Sequence, residues 1–226
     1  SVVYKIRAKK GSVYSDYATA IALVTPLCFK TNQTTRTDLY INRIYVAAGK
    51  TVNVDWGDGN NQNTTGNVIN LIHTYAASAT NIFNVKLSGD IESITQLFII
   101  NQPLRIFGDV SNWLVSTGST VFYLYSNAFT GKAPNIKAAS AGLLYRVDAN
   151  SISGSNITVF RAAATGYDLS DQNVSFPTSE VNNFFKSAAD WYQLTAPTAN
   201  CMFTINGANN GIPTGGASNV DIVRLS

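Results

Sequence analysis

Polar and apolar residues alternate one for one at the start of the chain. Tyr4, Ile6 and Ala8 interleave with Lys5, Arg7 and Lys9, and a period of two predicts a half-buried strand. Gly11 supplies a turn, and a second strand follows through Tyr14, Tyr17 and Ala20. The pair reads as a hairpin. From residue 26 to 92 five more strand patterns follow: "LCFKT", "RIYVAA", "TVNVDW", "VINLIHTYA" and "NIFNVKLSG". Asn-, Thr- and Gly-rich separators mark the turns between them. After residue 93 the apolar runs shorten, and each is followed by Asn and Gly. A single helical face appears late, with Val181, Phe184, Phe185 and Ala188 at i, i+3, i+4 and i+7. Thr178 or Ser179 is its expected N-cap.

The short runs repeat. "VFYLYSNAFTG" (121–131) aligns with "LLYRVDANSISG" (143–154) at a spacing of 23, matching Leu124 with Val147, Asn127 with Asn150, Phe129 with Ile152 and Gly131 with Gly154. "LSDQNVSFPTS" (169–179) aligns with "INGANNGIPTG" (205–215) at a spacing of 36, matching Asn173 with Asn209 and Phe176 with Ile212. Repeats of this length imply stacked units that bury one continuous core. A polar residue recurring beside apolar ones is expected inside the stack and fully hydrogen-bonded. That expectation covers Asn127, Asn150, Asn173 and Asn209, with segments 121–125, 144–148 and 202–206 parallel on one face. Tyr123 and Tyr145 are then expected on the outer side of that sheet, away from Leu124.

The stretch "TVNVDWGDGNNQ" poses the chemical question. Asp55 and Asp58 bracket Trp56, Gly57 and, with Gly59, form an acidic turn. Gly57 and Gly59 permit positive φ, and the two carboxylates can bond backbone amides. His73 and Tyr75 are expected to pack near Trp56. A structural turn is the favoured reading. A Ca²⁺ site on Asp55 and Asp58 is the minority reading, because Ca²⁺ takes six or more oxygens.

Several stretches resemble known modules. Residues 1–25 resemble the end of a fibronectin type III domain. "VDWGDG", "IHTYA" and "FNVKLSGD" resemble the W-G-D-G, H-x-Y and Y-x-V-x-L pattern of the PKD-like β-sandwich, with Phe83 in place of the usual Tyr. The repeat form L-x-L-x-x-N-x-L-x-G resembles leucine-rich repeats, and "FGDVSNWLVSTGST" resembles a BspA-type phrase. These resemblances imply a mostly β chain: the end of a type III domain at 1–25, a small PKD-like β-sandwich at 26–92, and an irregular leucine-rich-repeat-like solenoid with short helices at 93–226. The same order resembles modular surface proteins of Bacteroides-like bacteria and fibre-like virion proteins of their phages. The chain opens inside a strand pattern and stops inside a repeat, and so reads as a piece of a longer protein.

Composition narrows the function. The chain has 226 residues, 45% hydrophobic and 13% charged, with a net charge of +3. The charged share is low for a globular domain, and no basic face for nucleic acid is visible. No run of about 18 apolar residues predicts membrane insertion. Cys28 and Cys201 sit in apolar runs and read as buried free thiols, with a disulfide as the lesser alternative. One histidine, His73, leaves little for a zinc site or a catalytic triad. Asp168, Asp171, Glu180 and Asp190 are scattered acids, two of them at repeat turns, so a glycoside-cleaving pair is not favoured. No cofactor or enzyme activity is expected. Tyr123, Tyr125 and Tyr145 are the candidate binding residues, an aromatic strip suited to a surface glycan or a protein receptor. The alternative is that most of the aromatics, Trp113, Tyr167, Trp191 and Tyr192 included, are core. The expected role is non-catalytic: an extracellular virion-fibre segment that binds a receptor or other fibre subunits. A bacterial cell-surface adhesin and the carbohydrate-binding module of a secreted enzyme are the alternatives.

Overall fold

In a computed structural model the chain is mostly β, with mixed sheets and, among the described residues, one α-helix. The structure describes residues 2–6, 9–10, 13–14, 18–22, 26–33, 38–76, 82–102, 106–137, 142–158, 160–161, 165–169, 172, 176–195 and 201–204. For 2–22, 165, 193–195 and 201–204 it describes the backbone alone. Asn173, Asn209, Asp171 and the side chain of Cys201 therefore lie outside the described residues.

At the amino end β1 (Val2–Ile6) pairs antiparallel with β4 (Ala18–Ala22), enclosing β2 (Lys9–Lys10) and β3 (Val13–Tyr14). Five strands follow where the alternation places them: β5 (Leu27–Asn32), β6 (Asp38–Val46), β7 (Val52–Asp55), β9 (Asn67–Thr74) and β10 (Ile82–Gly89). A sixth, β8 (Asn61–Thr64), is almost entirely polar and escaped the pattern. Among the described residues it lies at the edge of its sheet and pairs only with β7.

Beyond residue 93 the strands are short: β11 (Ile94–Phe98), β12 (Ile106–Asp109), β13 (Leu114–Val115), β14 (Val121–Tyr123), β15 (Ala128–Ala133), β16 (Asn135–Ile136), β17 (Leu144–Arg146), β18 (Ser151–Ser155), β19 (Thr165–Asp168) and β20 (Cys201–Thr204). Helix α1 (Thr178–Thr195) lies between the last two and packs on β18. It begins at Thr178, where the carbonyl of Pro177 accepts from Glu180 and Val181. Thr178 and Ser179 thus lie inside the first turn rather than at the N-cap position expected of one of them. Val181, Phe184 and Ala188 are buried, as the helical face requires.

Two seven-stranded sheets carry the molecule, in the orders β18-β15-β12-β5-β10-β7-β8 and β20-β19-β17-β14-β11-β6-β9. Each is antiparallel at one end and parallel at the other. β12 pairs antiparallel with β5 and parallel with β15, and β11 does the same between β6 and β14. Both sheets cross the expected boundary at 92/93, and one cluster of buried side chains runs from Leu27 to Ala188. Trp113 joins the two parts. Its ring meets those of Phe29 and Phe129, which also meet each other, and its Nε1 donates to the Cys28 carbonyl at 3.2 Å. The sheets are not closed into a solenoid.

In the parallel part of the second sheet, Leu97, Phe122, Tyr145, Tyr167 and Phe203 stand in register, at steps of 25, 23, 22 and 36 residues. A column of buried amides locks the first steps together. Asn127 Nδ2 donates to the Ile99 and Leu124 carbonyls at 2.6 and 2.9 Å, and its Oδ1 accepts from the Gln102 amide at 3.2 Å. Asn150, fully buried, repeats this with the Leu124 and Val147 carbonyls at 2.7 and 3.0 Å and the Phe129 amide at 3.1 Å. Gln172 takes the next position, donating to the Val147 carbonyl at 2.8 Å and accepting from the Ile152 amide at 3.0 Å. The expected Asn173 lies outside the described residues. The strand step from Tyr145 to Tyr167 is 22 residues, which sets Gln172 at the position matching Asn150. Gln102 ends the column on Tyr40, giving a bond to its carbonyl at 2.6 Å and taking one from its amide at 3.4 Å. Just before three of these amides the backbone is left-handed, at Asn101, Ser126 and Ala149, with φ of 57°, 56° and 51°.

Two side chains point opposite to the direction expected from the sequence. Tyr145 is fully buried and its hydroxyl donates to the Pro134 carbonyl at 3.0 Å. It is in register with buried Phe122, so the period of two directs it inward with Leu124, not outward with Tyr123. Cys28 is exposed, because Leu27 and Phe29 take the inward positions of β5.

Replacing Asn150 by Ala is expected to strand buried backbone groups and lower stability by about 1–3 kcal/mol. Ala149→Gly should stabilise by up to about 1 kcal/mol, since a Cβ in this backbone region costs about 1–2 kcal/mol and glycine returns part of that as unfolded-chain entropy. Urea unfolding of both variants checks the pair; equal effects in the same direction would contradict the column.

Candidate functional site

Two places in the chain carry residues of chemical interest. The first is the W-G-D-G turn at the end of β7. Trp56 is buried and stacks on the His73 ring at 4.9 Å and 9°. His73 meets Tyr75 edge-on at 4.5 Å, and Tyr75 stacks on Phe83 at 4.2 Å. The Tyr75 hydroxyl donates to the Trp56 carbonyl at 2.9 Å. Asp55 Oδ1 accepts from the Gly57 amide at 2.9 Å, and Asp58 Oδ1 from the Asn60 amide at 3.0 Å. Asp58 Oδ2 lies 2.8 Å from His73 Nε2 and also accepts from Asn60 Nδ2. Gly57 holds φ at 80°, and a Cβ there would meet the Asn84 backbone oxygen at 2.5 Å, so the turn needs glycine on both counts. Gly59 has φ of 92° and faces open space.

Burial alone would raise the Asp58 pKa. The hydrogen bonds from His73 and Asn60, with the His73 charge, outweigh it and hold the carboxyl below its ordinary value. Both aspartates therefore accept from the chain's own donors, and the turn ties β7 to β9 through side chains. Among the described residues no three metal-ligating side chains cluster.

The second place is the outer face of the second sheet. Register and alternation set Ile69, Arg43, Phe98, Tyr123, Arg146 and Asp168 in one row across six strands. Arg43 lies over the Phe98 ring at 5.6 Å, and Phe98 meets Tyr123 at 4.9 Å. Tyr123 meets Tyr125 at 5.8 Å, and the Arg146 guanidinium sits 4.1 Å over the Tyr125 ring, inside the usual cation–π reach. Arg146 is held rigid by Asp148, which accepts from Nε at 3.0 Å and Nη2 at 2.7 Å. Asp168 adds a contact at 3.6 Å. Bonding to Asp148 raises the Arg146 pKa, although burial opposes it. Burial raises the Asp148 pKa and the nearby Asp168 charge adds to it, with the Arg146 bond pulling the other way. The parallel row, Tyr45, Gln96, Val121, Leu144 and Gly166, leaves Leu144 44% exposed and no side chain at Gly166.

Tyr123 and Tyr125 are thus brought together, while Tyr145 lies beneath them in the core. Trp113 and Tyr167 are buried as well, Trp191 packs partly against the core, and Tyr192 is exposed. The remaining acids in view are spread out: Glu180 pairs with Lys132 and Asp190 with Lys186. Phe98, Arg43 and Arg146 were missed in the sequence reading. The repeat spacing of 23 already aligned Tyr123 with Arg146, which is the signal that finds it. Arg161 was also missed. It is fully buried and binds the carbonyls of Ser116, Ser119 and Lys137, a cross-tie between turns. No family model, curated protein or solved structure matches the chain. No described helix is long and apolar enough to cross a membrane.

Asp55→Asn and Asp58→Asn are each expected to lower stability by about 1–2 kcal/mol at neutral pH. Because the folded Asp58 carboxyl titrates below its ordinary value, its contribution is present above about pH 4 and fades as pH falls through the lowered value. The gap in Tm between wild type and Asp58→Asn should therefore narrow below about pH 4. A calcium-dependent rise in wild-type Tm, abolished in the double variant, would instead establish the metal reading.

Proposed function

We propose that the chain is a non-catalytic structural and binding segment of a larger extracellular fibre. In this reading the two mixed sheets are a PKD-like sandwich extended end-on by an irregular stack of leucine-rich-repeat-like units. The observation that carries it is the outer row of Arg43, Phe98, Tyr123, Tyr125 and Arg146, which spans both parts of the chain. Aromatic and arginine side chains on a rigid sheet are the residue types that dominate binding surfaces. At the acidic turn His73, Asp55 and Asp58 make contacts that serve the fold.

Of the possible settings we favour a bacteriophage virion fibre over a bacterial adhesin, on the order of modules that the sequence resembles. Mass spectrometry of purified virions tests this. Peptides of the chain in the particles support it, and a parent gene beside a sortase-like or lipoprotein anchor, away from virion genes, overturns it.

Tyr123→Ala combined with Tyr125→Ala should weaken attachment of the labelled chain to cells of Bacteroides-like bacteria about tenfold or more. Both rings are only half-buried, so the melting transition should shift little. Unchanged attachment would remove this face from the function.

A further inference from the structure

We infer that the outer face binds a neutral glycan, with one sugar unit seated in a depression over β14, β17 and β19; this rests on the adhesive reading above. The depression has a volume of about 390 Å³ and is lined by Tyr123, Leu144, Arg146, Gly166 and Asp168, with Tyr145 and Tyr167 beneath. That volume lies within the common range for small-ligand sites. Gly166 makes the space. It occupies the outward position between Leu144 on β17 and the next strand, β20, and brings no side chain.

The lining has the two halves that a pyranose needs. Tyr123 and the exposed Leu144 offer apolar surface to the C–H face of a ring. Arg146 and Asp168 offer planar donors and acceptors to ring hydroxyls. Arg146 is already fixed by Asp148 through two bonds, so little side-chain freedom is lost on binding.

Charge selects among ligands. The two arginines of the face stand with two aspartates, Asp148 and Asp168, and both carboxylates lie against Arg146. An anionic sugar would meet Asp168 directly, while its cation is shared. A protein partner would need a far broader apolar centre than this shallow site provides. The strands beneath are spaced about 4.8 Å apart, so a chain of sugars lying across them passes from Tyr123 toward Asp168 and along the same row toward Phe98.

The test uses the 226-residue chain and isothermal titration against neutral glucans, mannans and galactans, and against uronate- and sialate-bearing glycans. Wild type is expected to bind a neutral glycan. Tyr123→Ala and Gly166→Val, the second filling the depression, should each weaken it about tenfold or more. Ile82→Ser, an exposed change on the other sheet, should leave it unchanged. Should Gly166→Val fail to fold, Asp168→Asn replaces it, with the same loss expected and an unaltered melting transition as control. Preference for anionic glycans, neutral binding that survives these variants, or no glycan binding at all would each overturn the inference. If no glycan binds but cell attachment is still lost in the Tyr123→Ala, Tyr125→Ala variant, the adhesive reading stands and the glycan inference alone falls.

Discussion

Stacking parallel strands at the corners of a sheet leaves backbone groups that no strand can satisfy, and the amide column of Gln102, Asn127, Asn150 and Gln172 satisfies them. Each amide donates to a carbonyl of the preceding step, and its oxygen accepts an amide proton there. A buried peptide group without a partner costs about as much as a lost hydrogen bond. Without the column the parallel part of both sheets would carry that cost at every step. The left-handed residues at 101, 126 and 149 follow from it, since they turn the chain so that the amide points inward.

The antiparallel part is held by a different device. There the strands satisfy one another, and the weak point is the tight turn after β7. The stack of Trp56, His73, Tyr75 and Phe83, with Asp58 on His73, fills that corner and ties β7 to β9 and β10. Residues with catalytic potential are thereby spent on structure. The same economy holds at Arg161, whose guanidinium serves carbonyls of two turns.

Because both parts share two sheets, their outer face is continuous. The row from Ile69 to Asp168 exists only because β6 pairs with β11 and β11 with β14. A rigid sheet presents aromatic rings and a fixed guanidinium at low entropic cost, which supports the binding role proposed for this face.

Much was legible along the chain. Alternation located most strands before residue 93, the i, i+3, i+4, i+7 pattern located α1, and the repeat spacing located Asn127 and Asn150. Those signals are local, set by side-chain direction within one element. What tertiary structure alone decided was non-local. β8 is a strand only because β7 lies beside it. Gln172 joins the next step because the strand spacing there is 22 residues, which the repeat spacing of 23 did not show. Tyr145 is buried because it is in register with Phe122. Alternation separates the two faces of a strand, but register against a neighbour decides which residues share a row, and so it was pairing across distant segments that put Phe98, Tyr123 and Arg146 on one surface.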